Sequence, residues 1–162
     1  MITAIRQSHK KSMKSRTKAR GIALQVLYEF DLTGHAPVDA LMERLSDDPL
    51  DEGLADFSRQ IIFGILPITN ILDNLIAQHA PDWPMDQVAV NDRNILRIAL
   101  WEFAIKGCTP VKVAINEAIE LSKIYGSDST PRVVNGVLGS LADRQVEIQN
   151  EFGSIQDPGK SA

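Results

Sequence analysis

Two carboxylates in the segment VAINEAIELSK are spaced to do acid–base chemistry. Glu117 and Glu120 lie three residues apart, which places them on one side of a helix. Paired carboxylates transfer protons in many enzymes, but this spacing is more common on a solvated helix face. The single cysteine, Cys108, is followed by Thr109 and has no spacing to a base that would activate its thiol. The sequence therefore predicts no enzymatic activity.

Metal-binding and phosphate-binding motifs are also missing from the sequence. His9, His35 and His79 are scattered without the spacing of zinc ligands, and one cysteine makes an internal disulfide impossible. The glycine-containing segment GSDS, residues 126–129, lacks both the lysine of a nucleotide-binding P-loop and the fingerprint of a dinucleotide site. We expect no metal and no cofactor.

The charge distribution is more informative than the net charge of −4. Seven of the 17 Lys and Arg residues lie in the first 20 positions without any acidic residue; the rest of the chain has ten basic and 21 acidic residues, a net charge of −11. Such a basic segment is typical either of binding to a phosphate backbone or of a solvated tail. Arg93 and Arg97 share a helix face, where pairing with the protein's own acids is at least as expected as contact with RNA.

Length and composition favour one helical domain. The chain has 162 residues, of which 44% are hydrophobic, enough for one substantial core, and runs of alternating β-branched residues are scarce. No uninterrupted apolar run reaches the roughly 18 residues of a membrane span, and the basic N-terminus lacks the apolar core of a signal peptide. We expect a cytoplasmic protein without membrane association.

Apolar periodicity predicts six or seven helices. The first runs from about Arg16 to Leu32, with Ser15 as its N-cap, and Pro37 begins a short second helix. Further helices are predicted before and after Pro67, from Asn91 or Asp92 to Phe103, from Pro110 to Tyr125, and from a Thr130 cap to about Val146. Gly126 is expected to end its helix in the left-handed conformation. We predict a flexible basic arm at 1–13, a helical domain at 14–146 and a disordered tail at 147–162.

Four stretches of the sequence resemble a known family. RTKARGIALQVLYEFDL (16–32), DRNILRIALWEF (92–103), VAINEAIELSKIYG (113–126) and RVVNGVLGSL (132–141) are similar to the bacterial transcription antitermination factor NusB family. The resemblance covers most of residues 14–144 in the same order. It implies an all-α, single-domain bundle in two packed subbundles that has no enzymatic activity. It also implies binding to single-stranded boxA RNA of ribosomal-RNA leader transcripts with ribosomal protein NusE, and contact with the RNA polymerase elongation complex through other Nus factors.

The resemblance also suggests which residues bind. Lys14, Arg16, Lys18 and Arg20 would contact phosphates, and Arg6, Lys10 and Lys11 would add looser electrostatic attraction. Bases would be read near Tyr28 and the start of the last helix, where Arg132 and Asn135 match the family's basic residue and asparagine. Glu102, expected at an exposed helix edge, is the candidate for NusE contact, with an internal ion pair as its alternative.

One departure from the family pattern leaves other functions open. The family commonly has phenylalanine where this chain has Val133, so a stacking contact of about 1–3 kcal/mol would be absent. A helical protein-interaction scaffold without RNA binding is therefore one alternative. Another is an RNA-docking module related to the N-terminal domain of ribosomal-RNA cytosine methyltransferases, although the sequence has no Rossmann-type glycine segment and no Pro-Cys pair.

Overall fold

The structure, a computed structural model, describes the backbone of residues 2–156 and the side chains of residues 15–156. All regular elements in this part of the chain are helical, which confirms the predicted all-α class. The eight α-helices within residues 2–156 are α1 (Ile2–Thr33), α2 (Pro37–Asp47), α3 (Glu52–Ile65), α4 (Thr69–His79), α5 (Val90–Leu100), α6 (Val111–Tyr125), α7 (Thr130–Ala142) and α8 (Gln145–Gln156). The chain divides after Leu66 into two compact units, in agreement with the two expected subbundles.

The first unit is built on the packing of α1 against α2 and α3. Ala19, Ala23 and Leu27 recur every four residues along α1 and are buried, as are Ile61 and Ile65 of α3. The small residues of α1 allow its backbone to approach that of α3. At this approach the Ser58 hydroxyl of α3 donates a hydrogen bond to the Ala19 carbonyl at 2.8 Å. Helix α2 begins with Pro37 at its first position. Helix α3 is capped by Asp51, whose side chain accepts a hydrogen bond from the Leu54 backbone amide at 3.0 Å.

Helix α1 begins earlier than the sequence pattern predicted. Its backbone is helical from Ile2, whereas Ser15 was the expected cap of a helix that followed a flexible arm. Residues 2–14 contain neither glycine nor proline and consist largely of good helix formers, so nothing in the segment stops the helix. The side chains of residues 2–14 lie outside the described residues.

The second unit surrounds α5, which packs against α4, α6 and α7. Ile95, Leu96, Ile98 and Leu100 are all buried, as the apolar surface all round this helix predicted. The helix continues into a π-helical turn, Trp101–Ile105, in which the Lys106 amide donates to the Trp101 carbonyl at 2.8 Å. This turn carries three more apolar side chains into the core.

Helix α8 is not expected from the sequence, which placed the end of the last helix near Val146 and a disordered tail from residue 147. In the structure α7 ends at Ala142, and a separate helix extends to Gln156. Burial of Ile148 and several polar contacts hold α8. The side-chain amide of Gln145 donates to the Phe103 carbonyl at 3.1 Å. Glu151 Oε1 lies 2.9 Å from His79 Nε2 and accepts from the Gln78 side-chain amide at 3.1 Å. These partners are distant in sequence, so local composition did not reveal them.

The break at Pro67 is confirmed as a 3-10 turn, Leu66–Ile68, between α3 and α4. Among the described residues, one helical stretch, Glu52–His79, is long and apolar enough to cross a membrane by length and composition alone. Core helices of soluble proteins pass the same test. Ile61, Ile62 and Leu72, within this stretch, are fully buried in the protein.

Two glycines are explained by close approach rather than by unusual backbone angles. Gly126 does not adopt the predicted left-handed conformation; its φ of −94° and ψ of −176° are extended, and a Cβ there would lie 2.5 Å from the Thr130 side chain. On α7, a Cβ at Gly136 would lie 2.5 Å from Cζ2 of Trp83, whereas one at Gly139 would meet no atom within 4 Å.

The two glycines of α7 give a matched pair of substitutions. Gly139→Ala should stabilise the protein by up to about 1 kcal/mol, because alanine is the better helix former and the space is open. Gly136→Ala should destabilise it by about 1–3 kcal/mol, because the Trp83 ring must move. Urea unfolding followed by circular dichroism measures both. Equal stabilisation by the two substitutions would show that Trp83 does not pack on Gly136.

Candidate nucleic-acid interface

The predicted phosphate contacts on α1 fall into three groups. Arg16 and Lys18 have exposed side chains, and Arg20 is only 2% exposed. The remaining candidates, Arg6, Lys10, Lys11 and Lys14, lie outside the residues whose side chains are described. Of the predicted phosphate contacts whose side chains the structure describes, Arg16 and Lys18 therefore remain candidates.

Arg20 must be corrected from a phosphate contact to a core residue. Its guanidinium lies 5.1 Å from the centre of the Phe57 ring, and that of Arg16, one turn earlier, lies 5.3 Å from the same centre. A buried guanidinium cannot reach a phosphate without leaving the core. The two arginines thus have different roles: Arg20 anchors α1 to α3, and Arg16 has its side chain held over the ring but exposed to solvent.

Lys18 is exposed but already has an anionic partner. Its ammonium forms a salt bridge with Asp48, which follows α2, and the two side chains are 43% and 54% exposed. A pair this accessible to water contributes at most about 1 kcal/mol. A phosphate can therefore replace Asp48 at little cost, since the lysine keeps a charged partner throughout.

Tyr28 lies further along α1, with its side chain 40% exposed. Phe30, two residues later, is 38% exposed. A partly exposed phenol presents both a ring face and a hydroxyl, so Tyr28 can stack on a base or donate to one. It stays a candidate for RNA contact.

The candidates of the second unit lie together at the start of α7. Arg132 and Asn135 are both exposed and three residues apart, on one face of the helix. Of the two valines that separate Arg132 from Asn135, Val133 is half-buried and Val134 is fully buried. The first turn of α7 therefore presents a guanidinium and a side-chain amide close to the positive end of a helix dipole.

A network of hydroxyl groups fixes this turn. The Thr130 hydroxyl donates to the Asp92 carboxylate, with Oγ1 3.1 Å and 3.2 Å from the two oxygens, and accepts from the Ser127 amide at 2.9 Å. Asp92 belongs to the first turn of α5, so one side chain joins α5, the loop after α6 and α7. Burial raises the pKa of Asp92, and the hydrogen bond from Thr130 opposes that shift in part.

An open cavity of about 360 Å³ lies beside this network. Its walls include Trp83 from the loop after α4 and Val133 from α7, and its polar lining includes Asp92, Ser127 and Ser129. Trp83 is not among the binding residues that the sequence predicted. The two prolines that flank it, in PDWP, were the available signal that Trp83 lies in a loop and not in a helix core.

Glu102 must also be corrected. It is 1% exposed, not at an exposed helix edge, and its Oε1 accepts from the Thr109 hydroxyl at 2.8 Å. The π-helical turn carries the side chain inward, a change of direction that the α-helical pattern did not predict. Arg97 likewise points inward and forms two hydrogen bonds to Asp73, at 2.8 and 2.7 Å. Neither side chain is available to a partner.

Metal ligands are not clustered in the part of the chain whose side chains are described. Among residues 15–156, no group of three or more His, Cys, Asp or Glu side chains is arranged to hold an ion. The candidate residues themselves support hydrogen bonding, charge pairing and stacking.

The chain is similar in sequence and fold to known proteins of one family. The NusB family profile matches residues 17–143. The transcription antitermination protein NusB of Chloroflexus aggregans is 44% identical over 131 residues, which are 80% of this chain and 87% of the relative. That of Dehalococcoides mccartyi (strain CBDB1) is 42% identical over 137 residues, 85% of this chain and 96% of the relative. Among solved structures, NusB and NusE in complex with double-stranded RNA gives a TM-score of 0.70 at 22% identity, covering 86% of this chain and 98% of the matched chain, a likeness of fold.

The roles of the two arginines over Phe57 can be separated by stability. Arg20→Met should lower the free energy of unfolding by about 1–3 kcal/mol, because it removes a buried guanidinium and its contact with the ring. Arg16→Met, which is matched in chemistry, should cost less than about 1 kcal/mol because the Arg16 side chain is solvated. Urea unfolding at neutral pH measures both, and equal losses would contradict the distinction.

The Thr130 hydroxyl should control the titration of Asp92. Thr130→Val removes the hydrogen bond that lowers the Asp92 pKa, so this pKa should rise further, as measured by the NMR titration of the carboxyl carbon. Because the folded-state pKa lies above the unfolded value, the Asp92 contribution to stability is present below the unfolded pKa and is lost as the pH rises through the folded one. The variant should move that loss to higher pH.

Ser129→Ala is the control for this titration, because the Ser129 hydroxyl contacts Ser127 and not Asp92. It should leave the Asp92 pKa unchanged. A lower Asp92 pKa in Thr130→Val would contradict the assigned role of the hydrogen bond.

Proposed function

The chain belongs to the NusB family, and on this premise we propose that it is a non-enzymatic transcription antitermination factor. It binds boxA-like single-stranded RNA of ribosomal-RNA leader transcripts together with ribosomal protein NusE. It acts in the cytoplasm on elongating RNA polymerase, through other Nus factors. The relatives from Chloroflexus and Dehalococcoides are named transcription antitermination proteins, and this chain matches most of their length.

The observation that carries the proposal is the exposed face at the start of α7. Arg132 and Asn135 stand there in the motif RVVNGVL, and the helix is fixed from behind by Thr130. A guanidinium can bind a phosphate or stack on a base, and an asparagine amide can both donate to and accept from a base edge. Single-stranded RNA suits these groups, because its unpaired bases are accessible.

The first unit contributes electrostatic attraction. Arg16 and Lys18 keep exposed positive charge on a chain whose net charge is −4. Each such residue that contacts a phosphate releases condensed counterions, which makes binding depend on salt. Arg16 is held over Phe57, so little of its side-chain freedom remains to be lost on binding.

The proposal of NusE as partner rests on the solved complex of NusB with NusE and double-stranded RNA. Because Glu102 and Arg97 point into the core, the partner surface must be formed by other residues. Strengthening of RNA binding by NusE is expected, since a second protein adds contacts to the same strand.

The double variant Arg16→Gln/Lys18→Gln should weaken RNA binding and reduce its salt dependence. If both side chains contact phosphates, the slope of log affinity against log salt should fall in magnitude by about 1.4 for a single strand. The measurement is fluorescence anisotropy with a labelled boxA-like RNA at several salt concentrations, with and without NusE.

Lys123→Gln/Arg144→Gln is the control of equal charge change, because neither exposed cation is among the proposed RNA contacts; their partners are Glu120 and Glu147, each three residues away. It should leave the slope nearly unchanged. Preference for double-stranded over single-stranded RNA would overturn the proposed substrate. Absence of binding to any RNA, even with NusE, would favour a protein-interaction scaffold instead.

A further inference from the structure

The cavity beside α7 has the size and the chemistry of a nucleobase site. Its volume of about 360 Å³ is in the range of small-molecule pockets, and its walls combine an aromatic ring with polar groups. All its lining residues belong to the second compact unit. Val133, which forms part of the wall, directly follows the exposed Arg132 in α7.

Trp83 supplies a rigid aromatic surface. The six-membered ring of its indole packs on the backbone of α7 at Gly136, where a Cβ would lie 2.5 Å from Cζ2 and 3.2 Å from two further ring atoms. The side chain is half-buried and also lines the cavity. A ring held in this way stacks on a base without a large loss of side-chain freedom.

Asp92 supplies hydrogen-bond acceptors to the lining. A carboxylate has about four lone-pair positions, and the Thr130 hydroxyl, with its single hydrogen, occupies one of them. Burial disfavours the ionised form and raises the pKa of Asp92, so the carboxylate gains from any hydrogen-bond donor that a ligand brings. The Ser127 and Ser129 hydroxyls lie on the same lining and bond each other at 3.2 Å.

We propose that this cavity binds one guanine of the RNA strand, stacked on Trp83 and hydrogen-bonded through its Watson–Crick edge to Asp92. Guanine is the base that presents two adjacent N–H donors, N1–H and the 2-amino group, on that edge, which matches a carboxylate. Adenine, cytosine and uracil each place an acceptor next to their donor, where it would face a carboxylate oxygen. Arg132 then contacts a flanking phosphate. This inference rests on the proposed RNA-binding function and adds a base preference to it.

The test uses the full chain and short single-stranded oligonucleotides with one guanosine in a uridine background. The matched oligonucleotide carries inosine, which lacks the 2-amino group, in the same position. In anisotropy titrations the guanosine oligonucleotide should bind about tenfold more tightly, as expected for one lost hydrogen bond to a charged group. Asp92→Asn should abolish this difference, because the amide offers one acceptor and one donor.

The Trp83 variants test the stacking contact. Trp83→Leu should weaken binding of the guanosine oligonucleotide about tenfold, and Trp83→Phe should recover much of the loss. Indole emission should fall on binding in the wild type. That fall should disappear in Trp83→Phe although the variant still binds, because Trp101 is only 5% exposed. The fluorescence readout keeps the test valid if Trp83→Leu fails to fold.

The outcomes separate the two proposals. Salt-dependent RNA binding with equal affinity for the guanosine and inosine oligonucleotides would overturn the guanine site and leave the RNA-binding function standing. Unchanged affinity and unchanged quenching in the Trp83 variants would do the same. Absence of RNA binding by the wild type would overturn both. Binding of free guanosine monophosphate as tightly as the oligonucleotide would overturn the assignment to a strand.

Discussion

The hydroxyl group of Thr130 is the contact on which the candidate site of the second unit depends. It joins the first turn of α5 to the loop after α6 and to the start of α7 through hydrogen bonds to Asp92 and Ser127. Gly126 is required for this arrangement, because any side chain there would overlap Thr130. This hydroxyl fixes the position of the first turn of α7. The first turn in turn sets the directions of the Arg132, Val133 and Asn135 side chains.

Identical residue types on one helix acquire different roles from their surroundings. Arg16 and Arg20 are one turn apart and share the Phe57 ring, yet one is solvated and the other is 2% exposed. The spacing of basic residues predicted a charged face of α1. It gave no information on how deeply each side chain is buried, because burial depends on which residues of α3 pack against it. The same limit explains Glu102, whose burial depends on Thr109 and on the π-helical turn.

The sequence predicted the elements better than their ends. Apolar spacing located the buried faces of α1, α3 and α5, because a helical face that must be buried repeats every three to four residues. It missed α8, which is held by the burial of Ile148 and by polar contacts of Gln145 and Glu151 to residues far away in the chain. It also missed the cavity, since Trp83 and Val133 come from separate segments and meet only when α7 packs beside the loop after α4.

Arg16 and Lys18 differ in what contact with a phosphate would cost them. Lys18 must exchange Asp48 for a phosphate, an exchange between two anionic partners in water that is close to neutral in free energy. Arg16 keeps its contact with Phe57 while its exposed guanidinium meets a phosphate. Such contacts add affinity in small, salt-sensitive steps and none of them requires the core to move. In the proposed function such a surface would bind an RNA strand reversibly, and base selection would come from a more enclosed site.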